Sequence, residues 1–299
     1  MRAWRLHAYG EPELITTDEV DRPSPGPGEV LLRVAATSFN PSEVGLRRGL
    51  LRGVVEVDLP YVLGWDVAGT VVASGPGPHA GPFAAGDPVI GRLDGGAAAD
   101  YAVAPASALV AAPASIPLAH AAALPIAGLT AWQAVFEHGR VTAGQRVLVN
   151  GAGAVGRLAI QLARHAGARV YAAASARSAE AAVRAGAGVE RPPPGSIDVA
   201  LHFVPGPVGD LTTLLRPGGV LVSATVPVDV SDESPAGLVK GVHFVARDDP
   251  AQLSELVKLV DAGEVRVEVA AVRPLTELAR VHAEAESGAL PAGKTIVVP

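Results

Sequence analysis

The chain contains no cysteine. That one absence excludes disulfides, thiolate zinc ligands and cysteine nucleophiles together. Aromatic residues supply only 4% of the sequence, so the hydrophobic 49% rests on alanine and valine, and the core has few aromatic anchors. Charge is also sparse, at 18%, with a formal net charge of -6 and no basic run, which argues against nucleic acid or an anionic membrane as the main partner. No stretch reaches the roughly 18 uninterrupted apolar residues of a membrane span. The opening MRAWRLHAYGEPE has charges among its first five residues and no apolar segment of signal length. A cytoplasmic, enzyme-like protein acting on a small molecule is expected. At 299 residues the chain has room for two domains and a well-buried core, and its composition excludes a mostly disordered chain.

The most informative stretch is RVLVNGAGAVGRLAIQLARHAGARVYAAASAR, residues 146–177. It reads as a strand, a glycine-rich turn, an amphipathic helix and a second strand. The apolar run at 147–149 leads into Gly151, Gly153 and Gly156, which have the G-x-G-x-x-G spacing of dinucleotide sites. The first glycine allows a tight turn off the strand, the second lets backbone approach a pyrophosphate, and the third lets the helix pack close to the sheet. Glycine spacing alone suits an ordinary turn or cap equally well. The context decides, because Val155, Leu158, Ala159, Leu162 and Ala163 recur at helical spacing before a second β-type run at 169–174. A nucleotide-binding βαβ unit is expected, with the first amides and positive dipole end of its helix facing the anion.

The first ninety residues read as β-rich, with runs at 3–6, 29–36 and 67–73 separated by turn segments such as RPSPGPGE. FNPSEVGLRRGLLR, at 39–52, reads as a loop and a short helix, and PYVLGWDVAGTVVA, at 60–73, as a strand pair. A boundary is expected in the alanine- and proline-rich segment 105–117. Beyond it, 120–124 and 127–138 read as helices broken at Pro125. Alternating strands and helices follow, including a helix at 209–215 and a strand across 220–226, which implies a parallel, doubly wound sheet. An amphipathic helix at 252–262, a strand at 265–272, a helix at 275–287 and a strand at 295–298 close the chain.

The order of these pieces resembles the medium-chain dehydrogenase/reductase superfamily, and within it the zinc-independent, quinone-oxidoreductase-like (zeta-crystallin-like) branch. The stretches that carry the resemblance are SFNPSEVGLRRG, LPYVLGWDVAGTVVASGPG, GDPVIG, AAALPIAGLTAWQAVFEHGRVTAGQRVLVNGAGAVG, LLRPGGVLVS and GALPAGKTIVV. They run from residue 38 to the end. The resemblance implies an α/β protein: a GroES-like β-rich catalytic domain at 1–117 and 271–299, and a Rossmann doubly wound parallel-sheet domain at 118–270 that binds NADPH. It implies an oxidoreductase that delivers hydride to a quinone or to the activated C=C of an enone or alkenal. It also implies a homodimer joined through an edge strand somewhere in 219–228. Carried over residue by residue, Asn40 and Thr130 are the catalytic candidates. Glu43, Trp65 and Tyr61 line the substrate pocket, and Gly151, Gly153, Ala154, Val155, Gly156, Ser175, Arg177 and Lys294 hold the cofactor. The residues themselves allow plainer roles: Asn40-Pro41-Ser42 is also a turn and capping signal, Trp65 also suits a core position, and Tyr61 also suits strand-edge packing.

Zinc-dependent relatives place His and Glu where this chain has Trp65 and Asp66, and they use cysteines that this chain lacks, so no metal is expected. Cofactor choice follows from charge. The second strand ends in Ser175-Ala176-Arg177, without the acidic residue that NAD-preferring folds offer to the ribose. A guanidinium suits a 2′-phosphate, although a solvated helix-start arginine would read the same way. The chain also departs from its relatives. Leu50 and Leu51 stand where several of them carry a tyrosine proton donor, and His202 stands where an Asp is common and reads as a hydrogen-bonded core residue. The segment 188–198 is short, so the far edge of the sheet is expected to be trimmed. Two further functions stay open: an enoyl-thioester reductase of polyketide or fatty-acid type, with Arg47, Arg48 and Arg52 available to a carrier group, and a non-catalytic NADPH-binding sensor or structural protein.

Overall fold

The computed structural model describes residues 1–77, 82–208, 211–228 and 240–299. Contacts divide the chain into two compact units. One holds Met1–Ile126, Asp248–Asp261 and Val267–Pro299; the other holds Ala127–Arg247 and Ala262–Arg266. These bounds differ from the expected divisions at 117/118 and 270/271, because the helices Leu118–Ala121 and Pro250–Asp261 pack on strands of the first unit.

The first unit opens with β1 (Arg2–Leu6), β2 (Ile15–Glu19) and β3 (Glu29–Ser38). The proline-rich 23–27 cannot supply ladder amides and so separates β2 from β3. The short helix α1 (Ser42–Arg47) follows, then β4 (Tyr61–Val62), β5 (Asp66–Ser74), β6 (Pro88–Arg92), β7 (Tyr101–Pro105), β8 (Leu109–Ala111) and α2 (Leu118–Ala121). β4 pairs with β1, and β5 with β3 and β6, so the expected strand pair at 60–73 is split between two sheets.

Pro125 does not break a helix but starts one, α3 (Pro125–Trp132), as a first-turn proline can. Its continuation, Gln133–His138, widens into a π-turn. There the Gln133 amide both donates to and accepts from the Arg247 backbone, and Arg247 pairs with Glu137. The second unit continues with β9 (Arg146–Asn150), α4 (Ala154–His165), β10 (Arg169–Ala173), α5 (Ala179–Ala185), β11 (Ile197–His202), α6 (Leu211–Leu214), β12 (Leu215–Ser223) and β13 (Lys240–His243). Residues 209 and 210 of the helix expected at 209–215 lie outside the described residues. All pairings in this sheet are parallel, in the order β10-β9-β11-β12-β13. β12 is thus an inner strand, and Leu221 and Val222 are buried. The dimer edge expected at 219–228 is corrected accordingly, since β13 covers that strand. At the opposite side the sheet is trimmed as expected: among the described residues, β10 gains only an isolated bridge from Tyr171 to Gly188.

The chain then returns to the first unit with α7 (Pro250–Asp261), β14 (Val269–Pro274), α8 (Leu278–Glu286) and β15 (Lys294–Val298). β15 inserts between β14 and β3, in the sheet ordered β14-β15-β3-β5-β6-β8, with β7 also on β3. Branched aliphatic side chains such as Val30, Leu32, Val67 and Val89 fill its core. A second cluster packs Trp4, Leu46, Trp65, Leu278 and Val297. No described helix is long and apolar enough to cross a membrane.

Candidate active site

In the second unit the glycine motif lies between β9 and α4. Gly151 has a φ of 101°, which an L side chain rarely adopts, and an added Cβ there would strike Val204. A Cβ on Gly156 would run into the Gly151 carbonyl oxygen, so the helix can seat on the turn only if this position is glycine. Gly153 differs: its φ is -75° and nothing lies within 4 Å of a Cβ placed there. The open space beside Gly153 is where a pyrophosphate would need to approach the backbone. The first helical bond of α4 runs from the Arg157 amide to the Gly153 carbonyl, leaving the amides ahead of it, at Ala154 and Val155 among others, without an intrahelical acceptor. Ser175 and Arg177, past the end of β10, are exposed. These features fit a dinucleotide. Thr130 is buried on α3 of the same unit.

His202 is fully buried at the end of β11. The Asn150 amide donates to its Nδ1 at 2.9 Å, and its Nε2–H points at the Gly206 carbonyl at 3.3 Å, an arrangement that needs the neutral ring. Burial pushes its pKa below the ordinary histidine value. It is the hydrogen-bonded core residue that its apolar strand implied.

In the first unit, four elements deliver a polar cluster into the protein interior. Ser38 ends β3, Asn40 precedes α1, Glu43 lies in its first turn, Asp66 starts β5 and Lys294 starts β15. All five are at most 4% exposed. Asp66 is the hub. Its Oδ2 accepts from the Ser38 hydroxyl, from Asn40 Nδ2 at 2.9 Å and from Lys294 Nζ at 3.2 Å, while its Oδ1 accepts from the Ile126 amide at 2.8 Å. Asn40 Oδ1 accepts from Lys294 Nζ at 2.6 Å. Asn40 Nδ2 also faces the Ser38 carbonyl and Glu43 Oε1. Glu43 Oε1 accepts from the Asn40 backbone amide, while the Glu43 amide donates to the Asn40 carbonyl and closes a turn. Asn40 is therefore the turn residue that its sequence suggested, but its side chain caps no helix amide: it is engaged on both ends within the cluster.

Two carboxylates and one ammonium share this dry space. Burial, with the nearby Asp66 charge, pushes Glu43 up to about 7; its bonds to Asn40 and the Lys294 charge oppose the rise. The cluster does not fit a zinc ion: its donors are carboxylate and amide oxygens, Trp65 offers no ligand, and Lys294 Nζ already sits on two of the oxygens. Among the described residues no three of His, Cys, Asp and Glu come together as a metal site.

Trp65 Nε1 donates to the Tyr61 hydroxyl at 2.9 Å, and that hydroxyl donates to the Asp94 carbonyl. Burial raises the Tyr61 pKa above the ordinary phenol value. Tyr61 lines a cavity of about 610 Å³ together with Leu93, Val103, Pro105 and the ion pair Arg92–Asp248. Its role is wall and hydrogen-bond relay, not strand-edge packing alone. Arg47 is fully buried, bound to Glu286 and to the Gly10 carbonyl, and Arg52 stacks over Tyr9. Arg47 is thus withdrawn from any carrier group. Beside it, His282 is buried against Phe39 with neither ring nitrogen hydrogen-bonded, and burial pushes it down to about 3.

Asn40, Glu43 and Lys294 are thus brought together, and Tyr61 joins Trp65. The glycine turn, Ser175, Arg177 and Thr130 belong to the other unit. Sequence reasoning passed over Ser38 and gave the hub, Asp66, no role beyond the loss of a zinc ligand. A signal existed: Asp66 is the one charged residue in PYVLGWDVAGTVVA, and a carboxylate on an apolar strand requires partners.

A family model described as an alcohol dehydrogenase GroES-like domain matches residues 26–114, and one described as zinc-binding dehydrogenase matches residues 176–297. The chain belongs to the medium-chain dehydrogenase/reductase superfamily. Superfamily relatives include a chloroplastic quinone-oxidoreductase homolog of Spinacia oleracea, 37% identical over 60% of this chain and 56% of that protein. A trans-enoyl reductase of Aspergillus terreus is 32% identical over 57% of this chain and 52% of that protein. The matches thus span about half the length of these curated relatives. A mycobacterial protein solved in complex with NADPH superposes over all of both chains, with a TM-score of 0.87 and 27% identity.

Proposed function

We propose that this superfamily member is an NADPH-dependent, zinc-independent oxidoreductase that reduces a quinone or the activated C=C of an enone or alkenal. It acts as a homodimer in the cytoplasm. The observation that carries this reading is the glycine turn of β9 and α4, whose free side at Gly153 admits a pyrophosphate. When bound, the nicotinamide supplies the hydride. The protein's part is to bind and orient: the opening amides of α4 face the pyrophosphate, and Ser175 and Arg177 face the 2′-phosphate. Thr130 lines the nicotinamide site. Asn40 and Glu43 form the polar side of the substrate site, with Glu43 able to hold a proton near neutral pH. The Tyr61–Trp65 pair walls the substrate pocket.

A second reading, enoyl-thioester reduction, draws support from the trans-enoyl reductase relative. Burial of Arg47 weighs against it, since only Arg48 and Arg52 remain for a carrier group. An NADPH-oxidation screen across quinones, alkenals, cyclic enones and enoyl thioesters separates the two. Turnover of quinones or enones is expected. Turnover of thioesters alone would replace the first reading with the second, and NADPH binding without oxidation by any acceptor would leave a sensor or structural protein.

A further inference from the structure

We propose that Lys294 is the resident cation of the Ser38–Asn40–Glu43–Asp66 cluster, its ammonium filling the role a bound metal ion would otherwise take at Trp65 and Asp66, where zinc-dependent relatives carry ligands. The inference concerns folding and charge balance, so it stands whether or not the protein is a reductase.

Three observations carry it. First, the acceptors converge on Nζ as ligands converge on an ion: Asn40 Oδ1 at 2.6 Å and Asp66 Oδ2 at 3.2 Å, from two different elements. Second, both partners of the ion pair are dry, with side-chain exposure of 5% for Lys294 and 0% for Asp66. An ammonium leaves water at such a site only where fixed oxygens replace its hydration. Third, Nζ is aimed by the sheet. Lys294 opens β15, where its backbone registers with Val269 of β14, and Ile296 two residues on registers with Ser38 of β3. The cluster and its cation are therefore assembled by the same ladder.

The bond to Lys294 also fixes which way Asn40 faces. With Oδ1 turned to the ammonium, Nδ2 must point at Asp66 and Glu43, and a flipped amide would set an N–H against Nζ and an oxygen against two carboxylates. Lys294 thus acts on Glu43 through Asn40, as a positioning residue. Without the ammonium, Asp66 would keep the Ser38, Asn40 and Ile126 donors but lose its only opposite charge in the cluster, and Asn40 its only side-chain donor.

The test uses the full chain and reads melting temperature and Mn²⁺ binding. Lys294→Ala vacates a space lined by acidic and amide oxygens, a ligand set that suits a hard divalent ion. It should melt roughly 10 °C below the starting protein, as expected for breaking a buried ion pair. Millimolar Mn²⁺, against an EDTA control, should recover at least half of that loss, while the starting protein stays unmoved. Lys294→Met keeps the bulk and removes the charge, and adding Asp66→Asn should raise its melting temperature, because the carboxylate that paired with the ammonium is then gone as well. A purely space-filling lysine predicts the reverse, a double variant less stable than either single one. That result would overturn the proposal, as would a Lys294→Ala protein indifferent to Mn²⁺. If the single variants yield no folded protein, recovery of folded Asp66→Asn/Lys294→Met supports the proposal and its failure to fold refutes it.

Discussion

At the scale of single residues, Glu43 is the group whose titration matters near neutrality. Its folded pKa, about 7, lies above the ordinary carboxyl value, so folding favours the protonated form. The stability this contributes is complete below the ordinary carboxyl pKa and is lost as pH rises through about 7. Glu43→Gln cannot ionise. It should therefore gain on the starting protein by about 2 kcal/mol between pH 5 and pH 8, read from denaturant unfolding at both values. His202 and His282 act in the opposite direction, since both are held below the ordinary histidine pKa and cost stability as pH falls. They are common to both proteins and cancel in the comparison; an unchanged gap at the two pH values would show that Glu43 does not titrate there. The sequence revealed the local part of this site and little more. Asn40 and Glu43 are three residues apart, and the turn that joins them can be read directly. Lys294 lies 254 residues from Asn40, and no periodicity announces that the two will touch. Asp66 was noticed only as a replacement for a metal ligand, since its partners come from elements that only the sheet brings together.

At the scale of elements, the turn between β9 and α4 separates what the fold needs from what a ligand needs. Gly156→Ala drives a Cβ into the Gly151 carbonyl and should cost the protein roughly 2–3 kcal/mol. Gly153→Ala meets open space at an ordinary φ, so its stability should stay within about 0.5 kcal/mol. The same added methyl narrows the approach to the backbone, and NADPH affinity should fall at least about tenfold, a loss of about 1.4 kcal/mol. Thermal melts paired with fluorescence titration distinguish the two, and a Gly153→Ala protein that binds normally would remove the pyrophosphate from this turn. The βαβ unit was legible because its signals are local: an apolar run, spaced glycines and a helical stripe. The place of β12 was not. Its apolar run suits an inner or an outer strand equally, and only pairing with β13 decides. Pro125 misled for a related reason, since a proline that cannot continue one helix is well placed to begin the next.

At the scale of the molecule, cofactor preference tests the functional reading. NADPH at a hundred times its dissociation constant should stabilise the protein by about 2.7 kcal/mol, and NADH at the same concentration by far less. Arg177→Glu should reverse the order, because a carboxylate repels the 2′-phosphate and accepts from the ribose hydroxyls. Equal affinities in the starting protein would defeat the charge argument. Whole-chain assembly has its own asymmetry. The second unit closes almost entirely within one continuous stretch, whereas the first cannot complete its main sheet until β15 slides between β14 and β3. On the ribosome, β3, α1 and β5 emerge early and must wait for a strand whose Lys294 follows Asn40 by 254 residues and Asp66 by 228. Through that interval the carboxylates of Glu43 and Asp66 have no ammonium to meet, so burying them prematurely is unfavourable.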